Sequence, residues 1–337
     1  MREVLMLRGA HRILQQNAGV RPGELVLIVT DFEKASLATI LASAAMSLGA
    51  EPLVVTMLPR TVDGQEPPPA VAASLMHADV VCSLVAKSIT HTHAIKAALA
   101  GGARVVGLTA FVEDQLIGGG IDADFEALTP LCRRVGALLA EATAARVTTP
   151  AGTALTMSLE GRPGNVHRGI VRNPGEFTTV PNAESSTSPV EGTADGTIVA
   201  DASLPYYDIG LLQEPIVMQV KRGMITELTG GSQARVIAAM MAAQKDPNVY
   251  NIAQLSFGLN PKCRIRGVML DDEGAYGTCH IGIGTSIMLG GEVKTPMHYD
   301  VLMWKPTLEL DGKVVLRDGD WLLPEADAAR AMLITGC

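Results

Sequence analysis

The stretch Glu24-Leu25-Val26-Leu27-Ile28-Val29-Thr30 is a continuous apolar run of strand length. An uninterrupted run of this kind, with no polar alternation, marks a strand covered on both faces. A helical pattern from Lys34 to Leu48 follows and is closed by Gly49, the residue that most readily ends a helix. Working outward, the same alternation repeats. Pro52-Leu53-Val54-Val55-Thr56 is the next strand, and a helix from Pro69 to Met76 leads to Asp79-Val80-Val81-Cys82-Ser83-Leu84-Val85. A helix from Thr92 to Ala100 then leads to the strand at 103–108, and an Ala/Leu-rich helix from Ile121 to Ala145 closes the series. Buried strands spaced by short amphipathic helices predict a doubly wound α/β domain with a mostly parallel sheet over residues 1–148. A dinucleotide site would need glycines after the first strand, yet the sequence there is Thr30-Asp31-Phe32-Glu33-Lys34. Gly118-Gly119-Gly120 lies between helical segments and reads as a loop, not as a phosphate cradle.

After Thr149-Pro150 the pattern changes to short β segments with many turns, at 152–159, 196–201, 215–220 and 223–228. One clear helix, Ser232 to Gln244, interrupts them. Residues 149–337 are therefore expected to form an α+β domain that carries the chemistry. Ser185-Ser186-Thr187-Ser188-Pro189 reads as a loop.

Composition excludes several function classes. The 337 residues are 47% hydrophobic and 18% charged, enough for large cores in two domains. Aromatic residues are only 4% and no Lys/Arg-rich tract occurs, so nucleic acid finds neither stacking platforms nor a basic groove. The net charge of -8 argues against an anionic membrane surface. No segment reads as a membrane span or signal peptide. The five widely spaced cysteines include no Cys-x-x-Cys pair, which fits a reducing cytoplasm.

The candidate chemistry centres on Thr278-Cys279-His280-Ile281-Gly282-Ile283-Gly284 and Lys294-Thr295-Pro296-Met297-His298-Tyr299-Asp300. On an extended strand, side chains two residues apart share a face, so His298 and Asp300 can reach one ion, and a neighbouring strand can add His280. The competing reading is a carboxylate that merely orients an imidazole. Glu176, after Pro174-Gly175, reads by itself as a turn carboxylate. Glu184 suits a substrate-facing role or an exposed loop equally. Asp271-Asp272-Glu273 reads as a solvated turn before Gly274, and His91 and His93 as capping or surface residues at a helix start.

Several motifs in order resemble the metallopeptidases of the aminopeptidase T and aminopeptidase S type: Gly152-Thr153-Ala154-Leu155-Thr156, the 175–181 segment, Asp195-Gly196-Thr197, the 251–261 segment, the 280–284 segment and His298-x-Asp300. Local wording is closer still to a non-peptidase branch, the iron-dependent 2,5-dihydroxypyridine 5,6-dioxygenases, at Pro181-Asn182, Asn248-Val249-Tyr250, the 294–300 segment and Gly319 to Pro324. The peptidase likeness implies two metal ions, with ligands at Glu176, Gln254, His280, His298 and Asp300 and a Tyr at position 287. This chain keeps Glu176, His280, His298 and Asp300, and departs at Gln254 and Ile287. The dioxygenase likeness implies one iron held by the His298-x-Asp300 pair and a His at position 254.

A neutral Gln254 offers a carbonyl oxygen but no anionic bridge, so one divalent ion per chain (Zn, Mn, Co or Fe(II)) is expected. The first expectation is a metal-dependent hydrolase that cleaves an amide of a short peptide or small cyclic substrate. In it Glu176, His280, His298 and Asp300 hold the ion, with Glu176 or Glu184 as general base. The second is a mononuclear Fe(II) dioxygenase opening a dihydroxypyridine-like ring. A third is a binding protein of the same fold. The resemblance also implies a homodimer or larger homo-oligomer, in which the apolar Met332-Leu333-Ile334 would be covered.

Overall fold

The computed structural model describes residues 2–334; Cys337 lies outside them. The run that opens the sequence analysis is the strand Leu25–Asp31, and it pairs in parallel with Glu51–Met57 on one side and Val80–Leu84 on the other. Arg104–Gly107 and Phe177–Thr179 extend the sheet, again in parallel. Alternation along these strands feeds two cores. Val26, Ile28, Val80, Cys82 and Val106 pack with the helices Arg2–Arg12 and Ala35–Ser47. Leu27, Val29, Val81 and Val105 pack on the opposite face with Pro69–Leu75 and His93–Ala100. Each of the larger side chains so buried contributes about 1.5–3 kcal/mol. This two-sided cover is the expected doubly wound arrangement.

The second unit is built from antiparallel sheets. One has eight strands in the order Met224–Thr229, Ile216–Lys221, Asp195–Ala200, Ala154–Ser158, Ala144–Thr148, Thr307–Leu310, Lys313–Arg317, Asp320–Trp321. The other runs His298–Trp304, Thr278–Gly284, Ile252–Gly258, Glu184–Thr187, Asn165–His167. The helix Ser232–Ala243 falls where the sequence places it. Among the described residues no helix is long and apolar enough to cross a membrane.

The division of the chain differs from a single boundary near 148. One compact unit comprises Met1–Glu126 with His167–Pro181, and the other Ala127–Val166 with Asn182 onward. The helix Phe125–Glu141, expected to close the first domain, belongs almost entirely to the second. Its Cys132 carbonyl accepts a hydrogen bond from Ser185 Oγ at 2.7 Å, and Gly136 and Gly164 approach so closely that a Cβ on Gly164 would lie 1.8 Å from the Gly136 carbonyl oxygen.

Two further readings are corrected. Ser185 to Thr187 is not loop but part of a fully buried strand, in which Ser185 Oγ donates to the Cys132 carbonyl. Asp271-Asp272-Glu273 is not a solvated turn, since all three residues are buried in the short helix Met269–Gly274. Asp272 accepts hydrogen bonds from the backbone N–H groups of Arg266, Gly267 and Val268, and Asp271 pairs with Arg266 at 2.5 Å. The satisfied bonds offset the cost of burying those charges.

Candidate metal centre

Strand register brings the candidate residues together. In the second unit's smaller sheet Gln254 stands opposite Gly282, and Gly282 opposite Asp300. One step along, Ser186, Ser256, His280 and Leu302 form the next row, while Glu184 pairs with Gly258 and His298 with Gly284. Because side chains alternate faces, Glu184, Gln254, Ser256, His280, His298 and Asp300 all project from one face.

Gly282 is what lets them converge. A Cβ there would lie 2.6 Å from Gln254 Cβ, 2.9 Å from Asp300 Oδ1 and 2.9 Å from His298 Cε1. Any side chain at this position would fill the space those three groups surround.

The hydrogen bonding of His298 and Asp300 leaves one ring nitrogen and one carboxylate oxygen face to face. His298 Nδ1 lies 2.9 Å from the Thr285 carbonyl oxygen. A carbonyl only accepts, so Nδ1 carries a proton, and Nε2 is the ring nitrogen left to face Asp300. That Nε2 lies 3.7 Å from Asp300 Oδ1, an oxygen buried without a hydrogen-bond partner. Metal bonds of about 2.0–2.2 Å can bridge such a gap. An imidazole whose second nitrogen is held by a carbonyl is the usual arrangement of a metal-bound histidine. The donor set therefore fits a divalent ion. Among the described residues no three His, Cys, Asp or Glu side chains are gathered to hold one, and the third side chain bordering the space at Gly282 is Gln254, through its Cβ.

The other oxygen of Asp300 meets a hydroxyl. Tyr206 Oη lies 2.9 Å from Asp300 Oδ2 and 2.7 Å from Glu273 Oε1. One hydroxyl proton cannot serve two carboxylates. Burial, then the charges of Asp300 and Glu184, push the Glu273 carboxyl well above its ordinary range. Glu273 thus takes up a proton more readily than an ordinary carboxyl, and Tyr206 Oη is placed to donate to Asp300. Burial and the same two carboxylates push the Tyr206 hydroxyl up as well. Neither residue is singled out by the sequence. Glu273 hides in an acidic run that looks solvated, and Tyr206 carries no motif.

His280, at 1% exposure, turns its Nε2 to Glu184 Oε2 at 3.3 Å. Glu184 also accepts from Ser256 Oγ at 3.2 Å. Burial alone would lower the imidazole's pKa, but the charge of Asp300 and the hydrogen bond and charge of Glu184 outweigh it and raise it above 6.5. His280 thus holds a proton against Glu184 more readily than a free imidazole, and its buried Nδ1 has no protein partner.

Glu176 lies in the first unit. Its oxygens accept from the N–H groups of Arg172 and Asn173 at 2.6 and 3.1 Å, from Asn173 Nδ2 at 2.8 Å and from Arg168. Partial burial raises its pKa, yet these donors prevail and lower it. Ile287 is exposed in a short turn, Ile287–Leu289. His91 and His93 are exposed, and His93 begins its helix behind the Thr92 cap.

Comparison with known proteins draws the same outline. A 2,5-dihydroxypyridine 5,6-dioxygenase of Pseudomonas putida KT2440 is 30% identical over 205 residues, 57% of this chain and 58% of that protein. The match thus spans less than two thirds of that relative. The structure of 2,5-dihydroxypyridine dioxygenase from the same organism superposes with a TM-score of 0.82 at 22% identity, covering 96% of this chain and 99% of the other. Wild-type AmpT from Thermus thermophilus gives a TM-score of 0.68 at 16% identity over 95% and 99%. Both are likenesses of fold. The family model described as NicX, 2,5-dihydroxypyridine 5,6-dioxygenase, matches residues 8–322. Of the two branches the sequence resembles, the match spanning nearly the whole chain is to the dioxygenases, and the chain belongs to the NicX family.

Proposed function

We propose that this chain is a mononuclear iron dioxygenase that opens the ring of a dihydroxypyridine-like N-heteroaromatic, with His298, Asp300 and the Gln254 carbonyl holding one metal ion. The observation that carries the proposal is the approach of His298 Nε2 to the unpartnered Asp300 Oδ1, 3.7 Å apart over a glycine. The family match supports the oxygenase over the hydrolase. The hydrolase reading needs Glu176 as ligand or base, and that carboxylate is occupied by Arg168, Arg172 and Asn173.

When bound, the metal supplies the one-electron chemistry through which dioxygen reacts with an electron-rich ring. The protein's own residues bind and orient. Gly282 leaves the space above the sheet open, and the Thr285 carbonyl fixes the His298 tautomer. Tyr206 Oη, lying between Asp300 Oδ2 and Glu273 Oε1, orients the Asp300 carboxylate. His280, paired with Glu184 through Nε2, keeps an unpartnered Nδ1 for a polar group of the substrate. His298 is the most exposed member of the set, with 26% of its side chain reachable, so substrate enters on its side. Self-association belongs to the same proposal, and the exposed Leu333 and Ile334 of the last helix are side chains it would cover.

The test is oxygen uptake by anaerobically iron-loaded protein supplied with 2,5-dihydroxypyridine, run beside peptide and cyclic-amide hydrolysis with zinc, manganese or cobalt. Stoichiometric oxygen consumption with loss of the ring absorbance supports the proposal. Metal-dependent amide cleavage without oxygen uptake sinks it.

A further inference from the structure

We infer that the outer edge of the strand Glu51–Met57 is an interface with a second copy of this chain, the two strands pairing antiparallel about a twofold axis at Val55. The inference rests on the self-association proposed above, to which it gives a surface, and draws nothing from the metal centre. Glu51–Met57 is the terminal strand of the first unit's parallel sheet. Strands of parallel sheets are ordinarily covered on both faces, as Leu27 and Ile28 are, with 0% exposure. Their register partners Leu53 and Val54 point to opposite faces and are 43% and 41% exposed. Both faces of this edge are therefore apolar and open, and Met46 of the helix packed beside it is exposed as well. The sheet's other edge is only the three-residue Phe177–Thr179.

The backbone selects the partner and the register. Glu51 N–H donates to the Glu24 carbonyl and so points inward, to the neighbouring chain segment, and successive residues of a strand alternate in this respect. Pro52, Val54 and Thr56 therefore turn their main-chain groups outward, where no strand of the described residues meets them. Proline belongs on that side, since it has no N–H to leave unpaired. It also confines pairing to Val54 and Thr56. A twofold axis at Val55 sets Val54 opposite Thr56 of the second copy, and each such pair exchanges both of its N–H···O=C bonds. An axis at Val54 would instead set Thr56 opposite Pro52, which has no N–H to give. The axis at Val55 also places Leu53 opposite Met57 and Val55 opposite its own copy, apolar on apolar. Charge selects the antiparallel sense. The exposed Glu51 opens the strand and Arg60 follows its end. Antiparallel copies bring each Glu51 beside the other's Arg60, whereas parallel copies would set like charges together. The edge is thus complementary to itself, as an interface between identical chains must be.

The experiment is sedimentation velocity of the full chain over a concentration series. It compares the natural sequence with Val54→Pro, Val54→Lys and Glu51→Arg, each checked for folding by near-UV circular dichroism. Val54→Pro removes an outward donor that the fold itself does not use, and Val54→Lys charges the edge; each is expected to weaken association by about tenfold or more. Glu51→Arg should weaken it too, and adding Arg60→Glu should restore it. Cys82, Cys132, Cys263 and Cys279 are buried, so in a Cys337→Ser background an added cysteine reports on the register. Val55→Cys, on the axis where facing Cα atoms approach to about 4.5 Å, should give a disulfide-linked dimer on mild oxidation, and Leu53→Cys should not. A natural chain that stays monomeric at every concentration overturns the inference together with the self-association. An assembly that the Val54 variants and the Val55→Cys test leave untouched uses another surface and overturns the inference alone. Should Val54→Pro not fold, Val54→Lys decides.

Discussion

His298 Nε2 and Asp300 Oδ1 lie 3.7 Å apart, and Asp300 Oδ1 is buried without a hydrogen-bond partner. A buried carboxylate oxygen without a donor costs free energy unless a cation meets it. Removing one charge from the pair should therefore relieve the metal-free protein and harm the loaded one. Asp300→Asn is expected to leave the thermal midpoint of metal-free protein unchanged or raised. Its metal affinity should fall by more than the roughly 10–100-fold typical of an outer residue. Calorimetric titration alongside a melting curve checks both halves.

Tyr206 acts on the metal only through Asp300 Oδ2. Tyr206→Phe should weaken metal binding by about 10–100-fold while near-UV circular dichroism stays native. Loss equal to that of Asp300→Asn would contradict this indirect role.

Adding a methyl group at position 282 fills the space the three candidate ligands surround. Gly282→Ala is expected to cost about 1–3 kcal/mol of stability by overpacking and to abolish metal binding in the protein that remains folded. Urea unfolding and metal titration on the same sample separate the two effects.

The His280 imidazole gives a pH signature. Its pKa is raised above 6.5 in the folded chain, so its stabilisation is fully present below the unfolded value. That stabilisation is lost as pH rises through the folded one. Glu184→Gln removes the hydrogen-bonded charge that helps raise it. An NMR titration of metal-free protein should show the His280 midpoint falling in this variant, and stability should depend less on pH above neutrality.

Glu176 predicts the opposite slope and no metal effect. Its pKa is lowered, so its contribution is present above the ordinary carboxylate range and fades as pH falls through the folded value. Glu176→Gln is expected to cost about 0.5–1.5 kcal/mol near neutral pH and to leave metal affinity as it was. A drop in affinity would return Glu176 to the ligand set and revive the hydrolase.

The parallel sheet was legible because Val26 to Val29 are apolar on both faces, a pattern few other environments tolerate. The shared face of His298 and Asp300 follows from strand alternation alone. What the sequence hid is polar burial. Ser185 and Glu273 have the composition of surface residues, and partners distant in sequence make their burial affordable, Cys132 for Ser185 and Tyr206 for Glu273. Phe177–Thr179 escaped notice as a strand because three residues are too few to show a period.

That short strand has a consequence for how the chain is threaded. Phe177–Thr179 supplies the fifth strand of the first sheet, and Val171 and Val180 sit in the same unit's core, while residues 127–166 belong to the other unit. The polypeptide leaves the first body, builds part of the second, returns to finish the first and departs again. No single cut yields two complete pieces: a fragment ending at 148 would lack a sheet edge and two core valines, and its complement would have lost the helix on which Ser185 rests.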